Sequence, residues 1–229
     1  MLIDVIIPAY NEENAIGEVL REIPFGLARH VVVANNGSTD RTAAAAEEHG
    51  AIVVHEPRKG YGQACLTAIE KLKDFDPAPD VVVFIDGDHS DYPEEMIHLL
   101  EPIKDGKVDM VIGSRSLGNR EKGSMTGPQV FGNWLATSLM RLLFGARFTD
   151  LGPFRAIRYD KLLTLEMRDR NFGWTVEMQI KAAKHGMKYC EVPVNYRRRI
   201  GVSKVSGTVK GTFMAGYKII FTIMKYAWR

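Results

Sequence analysis

The sequence predicts an α/β domain: a mainly parallel sheet with helices on both faces and one further helix at the C-terminal end. Three observations carry this. Short runs rich in Val and Ile alternate with segments whose apolar residues recur at helical spacing. The runs are continuously apolar, as strands covered on both faces must be. Finally, 229 residues with 45% hydrophobic and 25% charged side chains suffice for a buried core without disulfides, and exclude disordered, collagen-like and coiled-coil chains.

In chain order, Ile3–Ile7, His30–Ala34, Ala51–Val54, Val81–Ile85 and Met110–Ile112 read as strands. Helices are expected between them at Glu12–Glu22, Asp40–His49, Gly62–Lys73 and Glu94–Lys104. Ser38, Thr39 and Asp40 supply helix-capping oxygens ahead of the Ala43–Ala46 run. Gly118–Gly127 lacks periodicity and reads as a mobile loop, followed by helices over Asn133–Phe144 and Gly173–His185. Lys188–Val194 reads as a strand ending near Pro193, and Thr208–Trp228 as one long helix. The expected division is a main domain over 1–207 and a helix over 208–229.

Charge is unevenly spread. The overall net charge is +2, yet Val192–Arg229 holds eight basic residues and no acid. The preceding 191 residues carry 22 basic against 28 acidic side chains, a net of −6. A basic end on an acidic body points to an anionic partner there. Cys65 and Cys190 suit a reducing compartment rather than a disulfide. Met1 leads directly into a strand-like run, and no uncharged apolar run reaches the ~18 residues of a membrane span. The expectation is a cytoplasmic protein, peripheral on the cytoplasmic face of the membrane if its last helix binds lipid.

Ligands of open α/β sheets bind beyond the carboxyl ends of the strands. Those ends are followed here by Pro8–Glu13, Asn35–Asp40, Glu56–Gly62, Asp86–Asp91 and Gly113–Arg115, a set of acids, amides, turn residues and cations. Asp86 and Asp88 carry the most chemistry. Two carboxylates two residues apart, with Gly87 allowing a tight turn, suit one Mg²⁺ or Mn²⁺ that completes its shell with water and phosphate oxygens. With Arg58, Lys59 and Arg115 on neighbouring loops, the pair reads as a diphosphate site, where charge on a leaving diphosphate is neutralised. His89 reads as a turn residue pointing away from the pair. No phosphate-binding Gly-x-x-x-x-Gly-Lys loop, no Gly-x-Gly-x-x-Gly after the first strand and no Gly-x-Ser-x-Gly elbow occurs.

Taken in order, Pro8-Ala9-Tyr10-Asn11-Glu12-Glu13, Asn36-Gly37-Ser38-Thr39-Asp40, Asp86-Gly87-Asp88 and Gly113-Ser114-Arg115 resemble the family 2 glycosyltransferases of GT-A fold, in the branch of dolichyl- and polyprenyl-phosphate hexose synthases. The resemblance implies transfer of a hexose from a nucleotide-diphosphate sugar with inversion at the anomeric carbon. It implies that Pro8, Tyr10 and Glu12 line the nucleotide, that Asp86 lies near ribose and metal, that Asp88 binds the metal, and that Arg115 approaches the diphosphate. Asn36, Arg58, Gly60 and Lys204 complete the expected donor-binding set. Thr149–Arg155 resembles the acceptor-side segment, Gly173–Glu177 an aromatic-plus-acid helix start, and Arg199–Lys204 the basic loop over donor phosphates. Three positions depart from the family pattern: Asn36 stands for Asp, Pro153 for Gly and Ser90 for Gln.

For a hydroxyl acceptor, Asp150 is the first candidate for general base and Glu177 the second. A lipid phosphate is already ionised and needs none, leaving Asp150 to orient the acceptor or hold Arg155. Tyr10 as a stacking partner favours a UDP-sugar over a GDP-sugar. On a helical wheel, Lys210, Lys218, Lys225 and Arg229 form a cationic stripe beside a wide apolar arc, the pattern of an interfacial helix drawn to an anionic membrane. Packing on the domain or on a second copy of the chain is the alternative. A polyprenyl-phosphate or other lipid acceptor goes with the membrane reading, a soluble acceptor of cell-wall or polysaccharide synthesis with the other. Competing classes are a nucleotidyltransferase, disfavoured by the absence of Gly in Pro8–Glu13, and a non-catalytic sugar-nucleotide binder. Nucleic acid is not an expected partner.

Overall fold

The computed structural model describes residues 1–24, 26–201 and 209–228. Seven strands form one sheet: β1 (Ile3–Ala9), β2 (His30–Asn35), β3 (Ile52–His55), β4 (Val81–Phe84), β5 (Met110–Ser114), β6 (Arg155–Arg158) and β7 (Tyr189–Pro193). Their spatial order is β3-β2-β1-β4-β6-β5-β7. All neighbours are parallel except β6, which runs antiparallel to both β4 and β5. The mainly parallel α/β architecture expected from the apolar runs is therefore present.

Both faces of the sheet are covered. Along β1, Val5 and Ile7 point to one core with α1 (Ile16–Glu22), α2 (Thr42–Glu48) and α4 (Met96–Lys104). Ile6 points to the other, which holds α3 (Tyr61–Leu72), α5 (Gly127–Phe144), α6 (Tyr159–Thr164), α7 (Trp174–Lys184) and α8 (Val209–Ala227). This period of two explains why every β1 residue is buried, and why the sequence there shows no polar alternation.

Several boundaries differ from those expected, each for a physical reason. The first helix starts at Ile16, because Asn11 adopts a positive φ of 53° and the Glu12 amide donates to the Thr42 hydroxyl. α5 starts six residues early: Thr126 and Gln129 form a reciprocal capping box, with Pro128 in the first turn. Gly118–Thr126 is tied to the chain after β7, with the Glu121 amide donating to the Tyr196 carbonyl and Arg198 Nε to the Lys122 carbonyl. β6 and α6 gave no sequence signal, since a four-residue strand flanked by Arg155 and Arg158 shows neither an apolar run nor a period.

α8 packs on the domain. Ile223 and Tyr226 enter the core beside Ile219 and Ile220. The Tyr226 hydroxyl donates to Glu177 at 2.6 Å, and Lys218 pairs with Asp169 at 3.0 Å. Lys218 thus faces its own domain, which corrects the expected stripe; the side chains of Lys210 and Arg229 lie outside the described residues. The opposite side of α8 exposes Phe213, Met214, Tyr217, Phe221, Met224 and Trp228, and α5 exposes Phe131, Trp134 and Leu142. No helix among the described residues is long and apolar enough to cross a membrane.

Candidate functional site

The strand order reverses beside β1, which has β2 on one flank and β4 on the other. The crevice at such a reversal is where open α/β sheets bind ligands. A cavity of about 330 Å³ opens there, lined by Pro8 near the end of β1 and Tyr10 and Glu12 beyond it, Asn36 after β2, Lys59 and Gly60 before α3 and Tyr61 at its start, Asp86 to Asp88 after β4, Asn171 and Phe172 before α7, and Arg199 after β7. Of the expected site residues, Pro8, Tyr10, Glu12, Asn36, Gly60, Asp86 and Asp88 come together in this one pocket. Lys204 lies outside the described residues.

The acid pair sits under electrostatic tension. Burial and the neighbouring Asp88 push the Asp86 carboxyl up to about 7. Tyr61 donates to Asp86 Oδ1 at 3.1 Å. Asp88 Oδ1 accepts the Ser90 amide at 2.9 Å and the Ser90 hydroxyl, while Oδ2 pairs with Arg199 at 3.0 Å. Gly87 serves close approach rather than a strained turn: a Cβ there would meet Ile7 Cγ2 at 3.3 Å. His89, at φ 64°, turns its ring to Glu22 at 3.0 Å and away from the pair. Among the described residues no group of three or more Asp, Glu, His or Cys is placed to hold a metal ion. Two crowded carboxylates with no third protein ligand fit a hard divalent ion that takes its remaining oxygens from phosphate and water.

Asn36 is a staple. Its amide nitrogen donates to the carbonyls of Glu56 and Arg58 at 3.2 and 2.8 Å, and its oxygen accepts the Gly60 amide at 2.8 Å. This folds the loop that carries Lys59 against Tyr10, with Nζ 2.7 Å from the hydroxyl and 4.5 Å from the ring centroid. Gly60 itself is required: its φ is 147°, and a Cβ would stand 2.1 Å from the Arg170 carbonyl oxygen.

Four expected residues lie elsewhere. Arg58 does not line the cavity; its guanidinium is spent on buried Glu56, which it and the Thr67 and Gln63 side chains hold well below the usual carboxylate range. Arg115 is bound to Asp150 through its amide, Nε and Nη2 at 2.7, 2.8 and 2.7 Å, and lies 5.0 Å over the Tyr196 ring. Asp150 is fully buried; burial alone would raise its carboxyl, but the Arg115 charge and hydrogen bonds outweigh that and lower it. Its oxygens are committed to Arg115, and Arg155 is caged instead by the carbonyls of Leu151, Gly152 and Thr175. Glu177, also fully buried, accepts from Lys181, Tyr226 and the amides of Arg168 and Asp169. Asp150 and Glu177, the two candidate general bases, thus lie outside the lining of this cavity with their oxygens engaged by these partners.

Residues 4–165 match the family described as Glycosyl transferase family 2. The chain belongs to glycosyl transferase family 2. It is 36% identical over 207 residues to a dolichyl-phosphate hexose transferase of Haloferax volcanii, covering 88% of this chain and 85% of that one. It is 29% identical over 223 residues to an undecaprenyl-phosphate mannosyltransferase of Micrococcus luteus, covering 92% and 90%. An uncharacterized glycosyltransferase of Mycobacterium tuberculosis is 33% identical over 216 residues, covering 93% and 94%. Among solved structures, glucosyl-3-phosphoglycerate synthase of Mycobacterium tuberculosis, in complex with Mn²⁺, UDP and glucosyl-3-phosphoglycerate, superposes with a TM-score of 0.77 at 23% identity, covering 99% of this chain and 80% of that one. This last likeness establishes the GT-A-like fold of this glycosyltransferase.

In the sequence Arg199 and Tyr61 stand out only as members of longer motifs, Lys59 only as a cation near the acid pair, and Asn171 and Phe172 not at all. The triplet Arg197–Arg199 ahead of Gly201 was the available signal for the first. Asn171 and Phe172 offered none, because only the tertiary fold brings the loop before α7 over the crevice.

Proposed function

We propose that this glycosyltransferase moves a hexose, with inversion, from a nucleoside-diphosphate sugar to the phosphate of a polyprenyl lipid. The single observation that carries the donor half is the Asp86–Asp88 pair, half-buried and buried, at the β1/β4 crevice, in one cavity with Tyr10, Lys59 and Arg199. Asp88 and Asp86 would hold Mg²⁺ or Mn²⁺ against the diphosphate, and that ion supplies neutralisation of the leaving group. Pro8, Tyr10, Glu12, Asn36 and Gly60 would line the nucleotide, with UDP favoured over GDP. Two of the relatives are named for polyprenyl-type phosphate acceptors.

Asp150 acts here as a positioning residue. It holds Arg115 beside the Thr149–Leu151 loop, which Asn133 of α5 pins by donating to the Thr149 carbonyl and accepting the Leu151 amide, both at 2.9 Å. An ionised phosphate acceptor needs no general base, in keeping with acids that are fully committed elsewhere. Beyond Asn133, α5 exposes Phe131 and Trp134, and α8 adds its aromatic side, so the acceptor side of the site adjoins an apolar face. We assign that face to the surface of an anionic membrane, with residues 1–207 as the catalytic unit and 208–229 as a docked helix.

The decisive experiment incubates the full chain with UDP- and GDP-sugars, Mn²⁺ and either polyprenyl phosphate or water-soluble acceptors. Lipid-linked hexose is the expected product. Transfer only to a soluble acceptor would support the alternative acceptor class, pyrophosphate release a nucleotidyltransferase, and binding without turnover a non-catalytic binder.

A further inference from the structure

Arg199 stands where the charge of the site is decided. Its Nη2 lies 2.8 Å from Glu12 Oε1 and its Nη1 3.0 Å from Asp88 Oδ2, so one guanidinium bridges the β1 and β4 sides of the cavity. The backbone holds it there: the Arg197 amide donates to the Ser90 carbonyl at 2.9 Å, and the Ile200 amide to the Asp88 carbonyl at 3.0 Å. Asp88 Oδ1 is already committed to the Ser90 amide and hydroxyl within its own turn. The oxygen left for any other cation is Oδ2, the one Arg199 holds.

We infer that Arg199 is an internal counter-ion that yields Asp88 to the divalent cation and turns to the donor diphosphate, making metal and nucleotide binding mutually dependent. This rests on the proposed role of the acid pair as a metal site. A metal–oxygen distance of about 2.1 Å leaves no room for a guanidinium hydrogen on the same lone pair. Arg199 released from Asp88 keeps Glu12 as its anchor. Its Nε, buried and without a hydrogen-bond partner among the described residues, and the freed Nη1 are then two separate donors, on different edges of the guanidinium, available to phosphate oxygens. The cation alone binds against the cost of evicting Arg199, and the nucleotide compensates Arg199 for the lost partner. Each ligand therefore raises the affinity for the other by the same factor.

The test measures Mn²⁺ binding to the full chain by the electron paramagnetic resonance signal of the free ion, with and without UDP or GDP. Arg199→Met removes the competing charge at similar length. We expect it to bind Mn²⁺ alone about tenfold more tightly than the wild type, the scale of one hydrogen bond to a charged group. The enhancement of Mn²⁺ binding by nucleotide should shrink in parallel. A variant that binds Mn²⁺ no more tightly, or keeps the full nucleotide enhancement, overturns the inference while leaving the metal site standing. Absence of Mn²⁺ binding to either protein, even with nucleotide, overturns the metal reading and the inference together. Arg199→Lys carries the same test should the Met variant fail to fold. Its ammonium cannot bridge both carboxylates as a fork, so tighter Mn²⁺ binding by a smaller factor is expected, and unchanged affinity overturns the inference.

Discussion

Asp150→Ala separates positioning from proton transfer. The Asp150 carboxylate is fully buried and takes three hydrogen bonds from Arg115, whose guanidinium is itself largely enclosed. Removing one member of such a pair strands the other charge, at a cost of about 3–5 kcal/mol. For a domain of this size each kcal/mol moves the melting temperature by about 2–4 °C, so a fall of about 6–20 °C is expected. Asp150→Asn keeps one acceptor oxygen and should lose less. The double variant Arg115→Met, Asp150→Ala should recover part of the loss, because no stranded guanidinium remains. Thermal melting followed by circular dichroism from pH 7 downward is the assay. Since the folded Asp150 carboxyl lies below its unfolded value, its stabilisation is present above the ordinary Asp range and disappears as pH falls through the folded value. The gap between wild type and variant should therefore close on acidification. An Asp150→Ala protein that melts within about 2 °C of the wild type at pH 7, yet loses turnover, would refute this reasoning and return Asp150 to a direct catalytic role.

Four further outcomes are expected. Asp88→Asn should lose about a hundredfold or more in turnover together with metal-dependent donor affinity, read by product formation and calorimetry; wild-type activity in the presence of chelator would count against the metal site. Mn²⁺ affinity should rise with pH and level off above about 7, because Asp86 must shed a proton to bind, and calorimetry across pH 5.5–8.5 tests this. Gly60→Ala should weaken nucleotide binding and lower the melting temperature, since the new methyl displaces the Arg170 carbonyl; full donor affinity would show the loop dispensable. Anionic vesicles should shift the intrinsic fluorescence to the blue, because Trp134 and Trp228 are 60% and 84% exposed on the apolar face whereas Trp174 is 1% exposed. Replacing Trp134, Tyr217 and Trp228 by Ser should abolish sedimentation with vesicles. Deleting α8 is a poorer test, as it would open the core at Ile223.

The parallel half of the fold was legible because β1 to β4 are continuous apolar runs whose polar residues collect at their carboxyl ends. That same logic located Tyr10, Asn36, Asp86 and Asp88 in one crevice. It did not show the partner of Arg115, whose charge still lowers the Asp86 carboxyl but whose guanidinium is bound to Asp150. Met110–Ile112 reads as the next strand after Val81–Ile85, with Arg115 on the loop beside the acid pair. β6 instead inserts between β4 and β5, moving β5 outward by one strand spacing of about 4.8 Å and turning Arg115 to Asp150. A strand of four residues with charged ends carries no periodic signal, so this displacement could not be read from the sequence. The partners of Asp150 and Glu177 were illegible for a related reason: only the fold brings Arg115 to the first and Lys181 and Tyr226 to the second.

The antiparallel insertion also sets the order in which the chain can acquire its shape. Val82 must find Ile157, and Val111 must find Ala156, across long stretches of intervening chain. Such distant pairings raise contact order and slow folding. Until Arg155–Arg158 arrives, β4 and β5 each present an open edge of Val, Ile, Phe and Met, the kind of surface that recruits other chains. The strand that closes both edges is itself short and carries an arginine at each end, so before it docks it is a poor seed for aggregation. Yield on refolding should accordingly depend steeply on protein concentration, and more so when either arginine is replaced by an apolar residue.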